Sequence, residues 1–522
     1  MKKKIILLVI ILIHNYNFAT NYYISGAGND NNNGLTTTTA FRNIQKAADI
    51  VNPGDTVFVM NGLYNTQNNN GDIVTINRSG TASQWIIFKN YQTDKPKIEF
   101  NGWSAFSIQP GAAYIEINGF EIQGTNKNVT LVDALNQFHS CNNPGTDADP
   151  YQPEFNGSGI AADGRFSSTG FNKPHHINIL NNIIYDCGGG GISMIQSDYL
   201  TIKSNLVYDN SWYTIFGASG ISIYQSWNSD SNTTDFKMLI EGNICHNNRL
   251  FVPWYFVCAF TDGNGIIIDD CNNTQNGSTL GEYKGKTLIQ NNILYNNGGS
   301  GAHVYESKHV TIRNNTAYKN SQTPEINDGQ IFANASDDCK IINNILFASD
   351  DNVTNSNYNN TNLTYENNLH YNGTTIALTS PSCAVGNPNF VDETNFDFHL
   401  KSDSPAINVG NTTNFSPTDF DGNSRPNGSN PDIGAFEFGV MNNPDFGTID
   451  NLKVYPNPTS GILNFESSKN IDKVDCINML GQKMDLTLKN KTVDMKQLSN
   501  GIYRLFFYED NKLLKSVSII KK

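Results

Sequence analysis

Apolar residues recur along the chain in short runs, each leading into an asparagine. The runs are INILNNIIYDC (177–187), LTIKSNLVYDN (200–210), MLIEGNICHNN (238–248), TLIQNNILYNN (287–297), VTIRNNTAYKN (310–320) and CKIINNILFAS (339–349). Each places an apolar residue three positions before a shared Asn, at 182, 205, 243, 292, 315 and 344, and Asn368 extends the series. The intervals are 23, 38, 49, 23, 29 and 24 residues. A base period near 23 with two large insertions is too short for a propeller blade and lacks the leucines of a leucine-rich repeat. It fits one coil of a parallel solenoid. A single coil cannot bury its own apolar face, but stacked coils pair every strand and share a core. An inward Asn at one turn position can then bond to the Asn above and below, satisfying buried polar groups in a continuous ladder.

A second strand per coil follows a Gly: GIAADG (159–164), GISMIQ (191–196), GISIYQ (220–225), GIIIDD (265–270) and GAHVYE (301–306), with GQIFAN (329–334) in a less regular register. Alternation puts Ile192, Ile221 and Ile266, then Met194, Ile223, Ile268 and Val304, inside, and turns the second and fourth positions after Gly outward. Phe41, Ile44, Ala47, Ala48 and Val51 are spaced for an amphipathic helix capping the N-terminal end of the core. From Asn387 to Phe438 the pattern reads as closing coils and the other cap. The expected fold class is therefore all-β: a right-handed parallel β-helix over 20–439 with an N-terminal helical cap. After a linker at 440–448, short alternating strands over 449–522 read as a small β-sandwich.

Charged residues make up 16% and the formal net charge is −13. That balance argues against nucleic acid or an anionic membrane as partner, since both require clustered Lys and Arg. Residues 1–19, with Lys2 to Lys4 before the apolar run Ile5 to Ile13, read as a signal peptide, too short to span a bilayer. No later segment is apolar enough to be transmembrane, and a monomer is expected. The eight Cys are irregularly spaced with no C-x-x-C, so a zinc site is not expected; export permits one or two disulfides.

Residues 453–522, with VYPNP, an LGQ segment, LSNGIYRL and a Lys-ending strand, resemble the type A sorting domain of the type IX secretion system. That resemblance implies export across the outer membrane and the secretion machinery as a partner. The remainder, from YYISGAGND to DIGAFEF, resembles secreted β-helix proteins of the pectate-lyase-like (pectin-lyase-like) superfamily, and its opening is similar to that of family 9 and family 6 polysaccharide lyases. The resemblance implies an extracellular polysaccharide as substrate.

The two long insertions fall between Asn205 and Asn292 and carry Trp212, Tyr213, Trp227, Trp254, Tyr255 and Phe256. Aromatic faces suit a glycan groove, although such residues also pack insertions onto a scaffold. Within the same stretch TDGNGIIIDDC supplies Asp262, Asp269 and Asp270. Alternation turns Asp269 outward between Tyr224 and Tyr305, and sets Gln225 and Glu306 beside Asp270. Two chemistries compete. In elimination, Asp262, Asp269 and Asp270 bind Ca2+, which acidifies a uronate C5 proton, and a base removes it. Lys308 is the first choice of base, with Lys284, Lys286, Arg313 and an outward His303 as alternatives. In hydrolysis, Asp269 or Asp270 is nucleophile or base and Glu306 the acid, at a one-coil spacing near that of retaining enzymes. The GIIIDD and HVYES pair loosely resembles the acid pair of some β-helix xylosidases. Asp163, equivalent to Asp269 and expected two coils earlier, is a further candidate. A non-catalytic glycan-binding or adhesin solenoid is the third reading. Elimination is the expected reaction, because the overall resemblance points there.

Overall fold

The structure is a computed structural model. It describes residues 19–68, 71–137, 152–167, 173–439, 452–467, 471–478, 483–484, 486–489, 491–509 and 512–522. The expected signal peptide and linker lie almost wholly outside these residues. Two compact units are present, 1–438 and 439–522.

The first unit is a parallel β-helix of three sheets. Sheet 1 runs over eleven strands from Asn21–Ile24 to Thr364–Glu366, and sheet 2 over eleven from Leu63–Tyr64 to Ala384–Val385. Sheet 3 has eight, from Val74–Ile76 to Ile331–Asn334, and contains the strands that follow the Gly residues. Each strand pairs in parallel with its counterpart one coil on, as in Ile177 to Leu200 to Met238 to Thr287 to Val310. The inward positions of sheet 3 are those that alternation selects: Ile192, Met194, Ile221, Ile223, Ile266, Ile268 and Val304 are all fully buried.

The asparagine ladder is continuous. Asn182 Nδ2 donates to Asn205 Oδ1 at 3.1 Å, and the same bond repeats through Asn243, Asn292, Asn315 and Asn344 to Asn368 at 2.9–3.1 Å. The residue before each ladder Asn has a left-handed φ of 47–62° (Asn181, Ser204, Gly242, Asn291, Asn314, Asn343, Asn367). Asn and Gly tolerate that conformation best, which accounts for the recurrent Asn-Asn pair. A second ladder, not anticipated from sequence, runs five positions later through Asn210, Asn248, Asn297 and Asn320 at 2.8–3.0 Å and ends on Gln330 Oε1.

A short helix, Ile44–Ala48, buries Ile44, Ala47 and Ala48 over the first coils, as its spacing requires. The C-terminal stretch departs from expectation. Instead of closing the stack, residues 390–438 fold back over the outer face of sheet 2. There Phe390, Phe398, Leu400, Ile433 and Phe436 form a separate core with Ile293, Tyr318, Ile345, Phe347 and Leu369. Asn291 and Asn314, in turns between sheets 1 and 2, bond to Ser416, Thr418, Asp432 and Gly434 of this stretch. Arg425, buried and paired with Glu437 at 3.1 Å, fastens the fold-back internally. Cys187, Cys245, Cys271 and Cys339 are buried free thiols, while Cys258 is disulfide-bonded.

The second unit packs two four-stranded antiparallel sheets around Leu463, Phe465, Cys476, Val493, Leu505, Phe507 and Ile519. Among the described residues no helix is long and apolar enough to cross a membrane.

Candidate active site

Asp269 ends the strand Ile266–Asp269 of sheet 3 and points outward, with Tyr224 and Tyr305 opposite it on the neighbouring coils. It is half-buried, and its Oδ1 is shielded from water without a hydrogen-bond partner. Its carboxyl is held well above the usual carboxylate range. Burial is the main cause, followed by the negative charges of Asp262, Asp270 and Glu306; a Gln275 side-chain hydrogen bond opposes them. Asp262 precedes the same strand. Its Oδ2 accepts from Thr261 Oγ1 at 2.7 Å and its Oδ1 from Ser219 Oγ at 3.4 Å. Burial raises its pKa too, against those two hydroxyl bonds. Gly217 passes so close that a Cβ there would stand 2.6 Å from Asp262 Oδ2.

Asp270 has a different part. Its Oδ1 accepts from Thr274 N and Oγ1 at 2.8 and 3.0 Å, and its Oδ2 from Gln275 N and Gln225 Nε2 at 2.9 and 2.8 Å. The side chain is fully buried and organises the loop that follows. With both oxygens bound by N–H and O–H donors, it offers no free lone pairs to a cation. Among the described residues no group of three or more His, Cys, Asp or Glu side chains is placed to hold a metal ion. Of the expected Asp262, Asp269 and Asp270 set, Asp270 is thus taken up by donors of the protein itself.

Glu306 lies on the next coil, where its Oε2 accepts from Thr274 Oγ1 and Gln275 Nε2, both at 3.1 Å. Of the bases expected for elimination, Lys308 and His303 are engaged by other residues, and Arg313 and Lys286 lie on another sheet. Lys308 Nζ is 2.7 Å from Glu282 Oε2, a bond that raises its pKa and keeps it protonated. His303 does point away from the core, but its ring is buried and stacked on Phe332 at 4.2 Å. Burial lowers its pKa to about 3. Arg313 and Lys286 belong to sheet 1, a different face of the coil. Asp163 is three rungs from Asp269, with Ile195 and Tyr224 between, and it pairs with Arg165 at 2.6 Å.

The aromatic residues divide. Trp227 is buried, its indole N–H directed at Pro174 O at 3.4 Å, so it packs an insertion and lines no groove. Trp212 is half-buried, donating to Asn247 O at 3.2 Å and meeting Phe251 edge-on. Tyr213, Phe216 and Tyr255 pack on a small core of Ala134, Phe155, Ile215 and Val252. Trp254 stacks on Phe256, which stays 48% exposed. Tyr224, half-buried, accepts a bond from Asn276 Nδ2 at 2.8 Å beside Asp269. Sequence reading missed Thr274, Gln275, Ser219 and Gly217; only Gly217, in the FGASG run before a strand, left a visible signal.

Residues 22–187 match the family described as Pel9A-like, right handed beta helix region, residues 166–344 the right handed beta helix region, and residues 453–522 the secretion system C-terminal sorting domain. The chain carries a right-handed parallel β-helix. It ends in a type IX sorting domain, which indicates export to the cell surface or extracellular space and engagement of the secretion machinery. No curated protein matches it. Among solved structures it is similar to pectate lyase Pel9A (18% identity, 81% of this chain and 97% of the other, TM-score 0.46). It is also similar to a GH136 lacto-N-biosidase from Eubacterium ramulus (16%, 67% and 56%, TM-score 0.41) and to XylC in complex with xylose (12%, 80% and 98%, TM-score 0.41).

Proposed function

We propose that the protein is a secreted polysaccharide-degrading enzyme that hydrolyses glycosidic bonds with the carboxyl pair Asp262 and Asp269. The observation carrying this reading is the state of Asp269: half-buried, unpartnered at Oδ1, and pushed toward the neutral acid beside the charge of Asp262. Two carboxyls forced apart in pKa divide the roles of acid and base. Asp269 holds the proton and delivers it to the leaving glycosidic oxygen as the C–O bond breaks, while a water molecule adds to the anomeric carbon and passes its proton to the Asp262 carboxylate. Asp262, whose oxygens accept from the Thr261 and Ser219 hydroxyls, takes the part of the base and meets the positive charge that develops at the anomeric carbon. Tyr224 and Tyr305 flank the acid along the sheet and supply faces for the sugar rings. Glu306 acts on Asp269 through its charge. Elimination is the second reading, favoured by the match of residues 22–187 to the Pel9A-like family.

The test is a panel of plant, algal and host polysaccharides read together for reducing ends and for the ultraviolet absorbance of a new unsaturated uronate. Hydrolysis gives reducing ends alone; absorbance rising with them assigns elimination and overturns the proposal. Asp262→Asn and Asp269→Asn should each lower kcat roughly a hundred- to ten-thousand-fold. Asp269→Asn should recover on an aryl glycoside whose leaving group needs no proton, and Asp262→Asn should not. Lys308→Met should keep activity. A panel without any turnover leaves a binding solenoid.

A further inference from the structure

We propose that the outer face of sheet 1 carries a second, non-catalytic saccharide site that binds an anionic glycan chain through Lys286, Arg313 and Lys340, with Phe236 as its stacking surface. These residues line a shallow depression of about 300 Å³ together with His309, Thr311, Asp338 and Asn414. Three adjacent strands supply one cation each: Lys286 opens Lys286–Gln290, Arg313 closes Val310–Arg313, and Lys340 opens Lys340–Ile342. Phe236 pairs with Lys286 from the preceding strand and is 44% exposed.

The cations of this depression are only partly compensated, the Glu241 carboxylate acting on Arg313. Asp338, its one carboxylate, is bonded to His309 at 2.7 Å. Arg313 donates to two neutral acceptors, Gln290 Oε1 at 2.9 Å and Asn414 Oδ1 at 2.8 Å. Among the described residues no hydrogen bond or ion pair engages the Lys286 or Lys340 ammonium. On a chain of net charge −13, three gathered cations repel one another and gain from a bound anion. Rungs of a β-helix repeat about every 4.8 Å, on the order of one sugar residue. The three cations stand in different rows of the sheet, so they suit the anionic groups of a chain crossing the strands obliquely, and the exposed phenyl face suits the ring of a sugar. Carboxylate and sulfate ester groups share this chemistry. Duplex nucleic acid is disfavoured by the overall charge.

This site lies on a different sheet from Asp269, and its readout is binding rather than turnover, so it stands or falls independently of the hydrolytic reading. The experiment is affinity electrophoresis of the full chain carrying Asp269→Asn, through gels holding a polyuronate, a sulfated galactan, a neutral xylan or duplex DNA. At least one anionic glycan should retard the protein, salt should weaken the effect, and xylan should do little. Which gel retards assigns carboxylate or sulfate. Lys286→Ala combined with Lys340→Ala, which removes side chains without internal bonds, should weaken binding roughly tenfold, the effect of about 1.4 kcal/mol. Phe236→Ala should weaken it on its own. Retardation by neither anionic glycan, equal retardation by xylan or DNA, or an unchanged double lysine variant would overturn the proposal.

Discussion

Replacing Asn292 by Ala tests the ladder at its centre. The Asn292 Oδ1 accepts from Asn243 N at 2.9 Å and from Asn243 Nδ2 at 3.0 Å, while its Nδ2 donates to Ile240 O at 3.0 Å and Asn315 Oδ1 at 2.9 Å. All four bonds lie in fully buried surroundings, where no solvent replaces them. At about 1 kcal/mol for each hydrogen bond, and somewhat more for a buried group left unpaired, the substitution should destabilise the β-helix by roughly 4–6 kcal/mol. Asn368, at the end of the ladder, accepts from Asn344 N and Nδ2 and donates to Ile341 O. It has one bond fewer, so Asn368→Ala should cost about 1 kcal/mol less. Equilibrium urea unfolding of the two variants supplies both values. A loss at Asn292 below about 1 kcal/mol, typical of a surface change, would refute the ladder as a source of stability.

Two further outcomes follow from the acidic coil. Gly217→Ala should push the Asp262 carboxyl away from its hydroxyl partners and lower kcat while leaving the melting temperature nearly unchanged; full activity would show that this close approach does not position Asp262. Asp269 is more basic in the fold than in the open chain, so its favourable contribution is complete below the open-chain value near pH 4 and is lost as pH rises through the folded value. Asp269→Asn should therefore be more stable than wild type at neutral pH, with the advantage vanishing in acid. Melting curves across that range check the sign, and the wild-type rate should fall on the alkaline side as the acid loses its proton.

Much of the architecture was legible because the signals are local. An apolar residue three positions before an Asn defines one turn, and alternation after Gly assigns inside and outside without knowledge of the rest of the chain. The fold-back was not legible, since Phe390, Phe398 and Phe436 announce burial but not the surface against which they are buried. His303 shows the same limit: alternation turns it outward correctly, yet Phe332 one coil on helps to cover it. In the site, Asp262 and Asp269 were recognisable as acids near the insertions. The role of Asp270 depends on backbone N–H groups of a loop whose path the sequence does not declare. Lys308 looked free because its partner, Glu282, arrives from an insertion 26 residues away.

The returning C-terminal stretch changes how the molecule should come apart. In a simple stack each coil touches only its neighbours, so ends fray first and opening spreads inward. Here residues 411–435 grip the coils carrying Asn291, Asn314, Asn343 and Glu366, through bonds such as Asn411 to Glu366 and Ala435 to Thr316. The last part of the β-helix unit to leave a ribosome is thus a clasp on coils made much earlier. Amide exchange should show those coils and the clasp opening as one cooperative block, better protected than the N-terminal coils.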